Sequence, residues 1–163
     1  MNNYIVIEKQ DKELLQKLIS VGASFVEYEG EYRMHLLEAA YLAEKGILKM
    51  DYNKLIEQAK KLDHLAEYKY RIIKNLWSRA YISRMSLENG SHDGDYIRVH
   101  AKGFRPGEDR TRYIIKFIEP SKFTHSEMQE SLEFAGRLRK ELFFAYVEKE
   151  DVHFIKMSRA KFE

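Results

Sequence analysis

The chain contains no cysteine, which removes disulfides, thiolate metal sites and cysteine nucleophiles from consideration together. It also lacks an excess of charge of one sign: 28 basic residues stand against 26 acidic ones, a formal net charge of +2. Nucleic-acid-binding domains more often carry a clear basic surplus, so a large RNA footprint on this chain alone is not indicated, although local patches remain open. Long apolar runs are missing as well. No stretch approaches the roughly 20 residues needed to span a bilayer, and Met1-Asn2-Asn3-Tyr4 has neither the basic start nor the apolar core of a signal peptide. These absences predict a soluble protein of the cytoplasm. No His and carboxylate pair falls at ligand spacing and no glycine-rich phosphate loop occurs, so neither a metal nor a cofactor is expected. Only two prolines occur, and with dense Glu and Lys this suits a hyperthermophile, where ion-pair networks gain value as charge desolvation becomes cheaper.

What is present is core material. With 44% hydrophobic and 13% aromatic residues the chain can fold. Alternation from Tyr4 to Ile7 predicts a strand, and Asp11 caps a helix over Lys12 to Ser20 that ends at Gly22. A hairpin-like piece from Ser24 turns at Glu29-Gly30-Glu31, a helix runs from about Leu36 to Lys45, and Ile47 to Met50 reads as a short strand. Helical spacing returns with Leu55, Ile56, Ala59 and Leu62, and again from Leu65 through Trp77, with a polar break between the two patterns. Strands follow at Tyr81 to Met85, Tyr96 to His100 and Arg112 to Ile118, the last lacking alternation as expected of a strand covered on both faces. A loop rich in Gly, Asn, Ser and Asp from Glu88 to Gly94 separates the first two. A helix over Ser126 to Lys140 precedes two final strands, Leu142 to Val147 and Val152 to Met157. The sum is an α+β fold: a small N-terminal α/β domain, residues 1–64, and a C-terminal mixed-sheet domain flanked by helices, residues 65–163.

The chemistry-bearing residues concentrate between Asp95 and Lys140. This stretch runs Asp95-Tyr96-Ile97-Arg98-Val99-His100, a basic turn through Lys102, Gly103, Arg105 and Pro106-Gly107, then Arg110-Thr111-Arg112-Tyr113, and finally Arg137-Leu138-Arg139-Lys140. Upstream lie the helical segment Leu36 to Gly46 and the set Tyr70, Leu76, Arg79 and Tyr81. Downstream come an apolar strand, an acidic turn and a last strand closing at Ser158-Arg159. In order and spacing these segments resemble the archaeal tRNA-splicing endonuclease family over most of the chain from about Leu36 onward, with Ala80 where a Gly is usual.

The resemblance implies enzymes that cut precursor tRNA at both junctions of a bulge-helix-bulge motif, without metal, leaving a 2′,3′-cyclic phosphate. In the family a Tyr, a His and a Lys supply a base for the ribose 2′-hydroxyl, an acid for the departing 5′-oxygen and a cation beside the phosphorane. Those three positions here hold His100, Arg110 and Lys140. An imidazole with a pKa of about 6.5 has the range for a base. A guanidinium does not give up its proton, so Arg110 can hold a phosphate but cannot protonate a leaving group. His125 reads as a loop residue before a helix capped by Ser126, with Gln129 in capping-box spacing, and Lys140 as a solvated residue on an amphipathic helix. Glu133 stands where catalytic members tend to carry an Arg that grips a bulged base.

If catalysis is lost, assembly remains. The family likeness implies that the acidic turn (Glu148, Glu150, Asp151) docks in a basic cleft of a subunit from the opposite dimer. It also implies that the last strand, with Val152, Phe154, Ile155 and Met157, pairs subunits tail to tail. The basic residues Arg98, Lys102, Arg105, Arg110 and Arg112, interleaved with aromatics, suit RNA contact, unless strand alternation scatters them over two faces. The expectation is therefore a structural subunit, not an enzyme on its own, paired with a catalytic tRNA-splicing endonuclease chain in a heterotetramer that acts on precursor tRNA. A divergent homo-oligomeric nuclease using His100 and Lys140, and an RNA-binding scaffold without a nuclease partner, are the alternatives.

Overall fold

The computed structural model describes residues 2–23, 25–87, 96–102, 111–162. The Gly- and Asn-rich loop at Glu88 to Gly94 and the basic turn with Arg105 and Arg110 lie outside the described residues.

Strand β1 (Tyr4–Ile7) leads into α1 (Lys12–Ser20), which starts where the Asp11 carboxylate accepts the Leu14 N–H at 3.1 Å. Strands β2 (Val26–Tyr28) and β3 (Glu31–His35) form a hairpin whose two turn residues, Glu29 and Gly30, both take positive φ (49° and 81°). This conformation matches the twist of the flanking strands. β3 lies between its partners, giving a three-stranded antiparallel sheet of order β1-β3-β2. Helix α2 (Leu36–Glu44) follows without a linker, because the Nδ1 of His35 accepts the Leu37 N–H at 3.1 Å and caps it. Burial pushes the His35 pKa down to about 3, with the Lys69 charge adding to the effect, so the ring is neutral and free to accept.

The strand expected at Ile47 to Met50 is absent. The N–H groups of Ile47 and Leu48 instead bond the Leu42 carbonyl at 2.9 and 3.3 Å, closing the end of α2, and the chain turns directly to Asp51, the cap of α3 (Tyr52–Leu62). Asp63 ends α3 and starts the approach to α4 (Ala66–Ser78), accepting the Leu65 N–H at 2.9 Å and the Lys69 ammonium at 2.7 Å.

The second sheet contains β4 (Ser83–Met85), β5 (Tyr96–Val99), β6 (Tyr113–Phe117), β7 (Glu141–Glu148) and β8 (Asp151–Met157), in that spatial order. Only β6 and β7 are parallel, joined by a crossover through α5 (His125–Leu138). Alternate residues face opposite layers. Ile97, Val99, Ile115, Phe117 and Ala145 pack with Ile72, Ile73, Leu76 and Trp77 of α4. Tyr96, Ile114, Ile118, Leu142 and Phe144 pack with Ala135 and Leu132 of α5. An α+β architecture with a helix-flanked mixed sheet is what the sequence predicts.

The cap of helix α5 lies two residues earlier than expected. Thr124, not Ser126, is the cap: its hydroxyl accepts the Glu127 N–H and the Glu127 carboxylate accepts the Thr124 N–H, both at 3.2 Å. Glu127 completes both halves of the capping box, so His125 is the first helical residue rather than part of a loop.

One buried carboxylate joins the first layer to the second sheet. Glu38 of α2, 2% exposed, accepts the Met85 N–H of edge strand β4 at 2.9 Å and the Ser83 hydroxyl at 3.3 Å. Burial raises its pKa to about 8 despite those two bonds.

Candidate functional site

Three neighbouring strands bring His100, Thr111 and Lys140 to one end of the second sheet. Val99, Tyr113 and Glu141 are in register, the Arg112 N–H bonds the Val99 carbonyl at 2.8 Å, and the Glu141 N–H bonds the Arg112 carbonyl at 3.3 Å. His100, Thr111 and Lys140 are the residues just beyond these, so the backbones of His100 and Lys140 lie two strand spacings, roughly 10 Å, apart. Arg110, which precedes Thr111, lies outside the described residues.

Lys140 is neither on the helix nor a solvated surface residue. α5 ends at Leu138, and the half-buried Lys140 ammonium donates to the Thr111 carbonyl at 2.7 Å and to the Thr111 hydroxyl. A lysine placed between helix and strand can fold back along the neighbouring strand, which the helical reading did not allow. His100 is 3% exposed, and its N–H bonds the Ile82 carbonyl at 3.0 Å. The other described histidines stand elsewhere. His125 opens α5, about 20 Å along the helix from its far end. His153 stacks on Tyr146 with ring centroids 5.0 Å apart. His64 lines a hollow with Phe117 and Ile118 at the other end of β6, and His35 is spent as a cap. Among the described residues no second imidazole reaches this end of the sheet, and no group of His, Asp and Glu could hold a metal ion.

The predicted basic patch divides. Arg112 pairs with Glu141 at 3.1 Å and lies 5.4 Å from the Tyr113 ring centroid, while Lys156 takes the other oxygen of Glu141 at 2.8 Å. The Lys156 hydrogen bond is the main reason that the Glu141 pKa falls below the usual carboxylate range. Lys102 is exposed beyond β5. Arg98 belongs to a different place. It is exposed on β5 directly opposite Arg84 of β4, and both line a cleft of about 450 Å³ whose far wall is Val26, Tyr28 and Arg33 of the first sheet. The Arg33 guanidinium is held 4.5 Å from the ring centroids of Tyr4 and Tyr28 and 3.2 Å from Glu31. Among the described residues neither Arg84 nor Arg98 forms a hydrogen bond or ion pair with a carboxylate. Nothing in the sequence pattern singled out Arg33 or Arg84, because the cleft exists only once β3 and β4 face each other.

The acidic turn is a two-residue hairpin. Glu148 pairs with Asp151, Lys149 takes a φ of 58°, and all four side chains from Glu148 to Asp151 are exposed. β8 is the edge of the sheet. Its candidate pairing residues lie on two faces: Val152 and Phe154 pack toward α4, Met157 packs toward α5, and Ile155 is 43% exposed.

No family model matches the chain. It is 29% identical over 142 residues to a tRNA-splicing endonuclease of Thermococcus onnurineus, covering 82% of this chain and 79% of that one. It is 29% identical over 138 residues to that of Pyrococcus furiosus, 79% of this chain and 76% of the relative. With that of Methanothermobacter thermautotrophicus it shares 26% over 130 residues, 76% and 74% of the two chains. The chain is a homologue of the archaeal tRNA-splicing endonucleases.

In this homologue His100 and Lys140 both bond to neighbouring chain segments at this end of the sheet. The Lys140 ammonium bonds the Thr111 carbonyl of the neighbouring strand segment, and His100 is closed off from solvent. No helix among the described residues is long and apolar enough to cross a membrane.

Proposed function

We propose that this chain is a structural, non-catalytic subunit of an archaeal tRNA-splicing endonuclease, assembled with a catalytic sister chain into a heterotetramer that cuts precursor tRNA at bulge-helix-bulge junctions. The observation that carries the reading is the state of the site end: His100 is buried and Lys140 is bound to Thr111. Arg110 adds a chemical argument, since a permanent cation at the acid position cannot protonate the departing oxygen.

Charge complementarity supports an assembly role. The chain carries an exposed acidic hairpin tip at one edge of its second sheet and a three-arginine cleft at the other. Four strand spacings, roughly 19 Å, separate β4 from β8, so a hairpin tip on β8 does not reach its own cleft. Tip and cleft therefore serve contacts between chains, and charge pairs desolvated there are worth more than exposed ones. In this reading segments 1–64 and 65–163 act as two units forming the two walls of the cleft, and edge strand β8 pairs with a second subunit.

Mixing the chain with a separately purified catalytic relative and supplying a bulge-helix-bulge RNA tests the proposal. The expected result is cleavage by the mixture and none by this chain alone, with the triple change Glu148→Lys, Glu150→Lys, Asp151→Lys abolishing the mixed assembly in size-exclusion chromatography with light scattering. Cleavage by the isolated chain refutes the non-catalytic assignment.

A further inference from the structure

Lys116 interrupts the otherwise apolar run Ile114-Ile115-Lys116-Phe117-Ile118 of β6 and the residue after it. It belongs to the α5 layer, because its strand partners Tyr96 and Phe144 and its alternate neighbours Ile114 and Ile118 all pack in the core on that side. Lys116 is 8% exposed, yet among the described residues it forms no hydrogen bond or ion pair. Its ammonium lies 5.2 Å from the centroid of the Tyr96 ring, whose hydroxyl is bonded to Ser131 at 2.8 Å. A ring face offsets only part of the hydration that a buried ammonium gives up, and buried charges are normally paired. An apolar side chain of similar length would suit the fold better at this position. Among the described residues the Asn3 side-chain oxygen alone is both sealed from solvent and unbonded, so the Lys116 ammonium keeps an opening.

That opening is a hollow of about 260 Å³ between the end of β6, the residues before α4 and the start of α5. Leu65 and Phe123 give it apolar walls, and Lys116 is part of its lining. Two of its other charges cancel, since Glu119 pairs with Lys122 at 3.0 Å. Glu127, whose carboxylate accepts the Thr124 N–H at 3.2 Å, is the lining carboxylate that no cation neutralises among the described residues. One negative charge on a ligand is therefore matched by Lys116, and a second is opposed by Glu127. The hollow lies at the opposite end of β6 from Tyr113, about 15 Å from the strand ends beside Lys140.

We propose that this hollow is a binding site for a small organic monocarboxylate, whose carboxylate pairs with Lys116 and whose apolar body rests on Leu65 and Phe123. Its volume falls below the roughly 300–1,000 Å³ of pockets for drug-sized ligands, so a compact acid of benzoate size fits and a nucleotide or a protein hairpin does not. A charge-assisted bond to the carboxylate supplies the partner that the buried ammonium lacks, and the walls cover the part of the ligand that water solvates poorly. The site stands independently of the proposed subunit role, because it uses no residue of the acidic hairpin, the arginine cleft or the strand ends beside Lys140.

Titration of benzoate into the full-length chain tests the site, with benzamide as its uncharged isostere. Histidine ring signals in NMR locate the binding, since His64 lines the hollow and His153, stacked on Tyr146, serves as a control elsewhere. Benzoate is expected to move the His64 signal and not that of His153, to saturate with a Kd below about 1 mM, and to raise Tm as it does so. Benzamide should bind about tenfold more weakly, having no charge to offer Lys116. Lys116→Met should raise the Tm of the free chain by about 2–4 °C. The same variant should bind benzoate about tenfold more weakly. A gain in stability with a loss of affinity marks a residue kept for a ligand and cannot arise from misfolding. Glu127→Gln, which keeps a capping-box side chain while removing the opposing charge, should tighten benzoate several-fold. A His64 signal that benzoate leaves unmoved, equal affinity for benzamide, or undiminished affinity in Lys116→Met overturns the proposal. If Lys116→Met loses stability together with affinity, Glu127→Gln decides: tighter binding supports the site and unchanged binding removes it.

Discussion

At the end of the second sheet where β5, β6 and β7 meet, Lys140 is bonded to Thr111, and Arg112 and Lys156 share Glu141. At the β4–β5 edge of the same sheet, Arg84 and Arg98 stand directly opposite one another with no carboxylate bonded to either among the described residues. Like charges in that cross-strand position cost about 0.2–1 kcal/mol. The first region uses its charges to hold strand ends together. The second leaves an electrostatic cost that a bound anionic group would remove. The charges beside Lys140 are paired within the sheet, and those at the β4–β5 edge are left facing the cleft.

The largest effect expected to probe this contrast comes from Glu38, which is buried against edge strand β4 and bonded to Met85 and Ser83. Its folded-state pKa of about 8 lies above the ordinary carboxylate value, so its contribution is fully present below about pH 4.5 and is lost as pH rises toward 8. His35 has the opposite sign: with a folded-state pKa of about 3, its contribution is present above about 6.5 and is lost as pH falls toward 3. The two slopes offset each other between these limits, giving a stability plateau between about pH 4.5 and 6.5, with losses of a few kcal/mol outside it. Denaturant titrations across pH 3 to 9 should show this profile. Glu38→Gln should flatten the alkaline side, and His35→Asn, which retains a capping side chain, the acid side. An alkaline slope that survives Glu38→Gln removes Glu38 as its source.

Lys140 gives the sharpest contrast between a structural and a catalytic role. Replacing it with Met strands the Thr111 carbonyl and hydroxyl, at a cost of about 1–3 kcal/mol. That corresponds to a fall of several degrees in Tm for a chain of this size. A catalytic lysine would behave differently, losing activity with little change in stability. Thermal denaturation of the isolated variant should therefore show the loss, and cleavage by the reconstituted complex, assayed below the variant's Tm, should be unchanged. Normal stability with lost cleavage would return Lys140 to the active site.

Much of this was legible in the sequence, and the failures have a common cause. Helices α1 and α3, the hairpin turn at Glu29-Gly30 and the buried strand β6 follow from caps, turn residues and periodicity, all properties of neighbours in the chain. Ala80, where the family has glycine, adopts a φ of 65°, so a backbone requirement explains the family's residue even where this chain departs from it. The short segment at Ile47 to Met50 had strand composition but no strand to pair with, and α5 began at the threonine that completes a capping box. The placement of Lys140 escapes the helical pattern because its partner, Thr111, is distant in the chain. The cleft was invisible for the same reason: Arg33, Arg84 and Arg98 come from three strands and acquire a common purpose only when two sheets face each other.

The smallest effect is also the most diagnostic of the cleft. Arg98→Gln removes one member of an exposed like-charge pair, so the isolated chain should become more stable by a few tenths of a kcal/mol, at most about 1. A surface change without a special role leaves stability within about 0.5 kcal/mol and leaves partners unaffected. Here a small gain in the free chain should accompany a several-fold weaker assembly with the catalytic subunit, measured by analytical ultracentrifugation at low salt. The difference between variant and wild type should shrink as salt rises, because screening weakens exposed charge pairs. Were Arg98→Gln to destabilise the free chain instead, the guanidinium would be held by a partner within the chain. The cleft edge would then be structural in the same sense as the sheet end beside Lys140, and the contrast between the two regions would disappear.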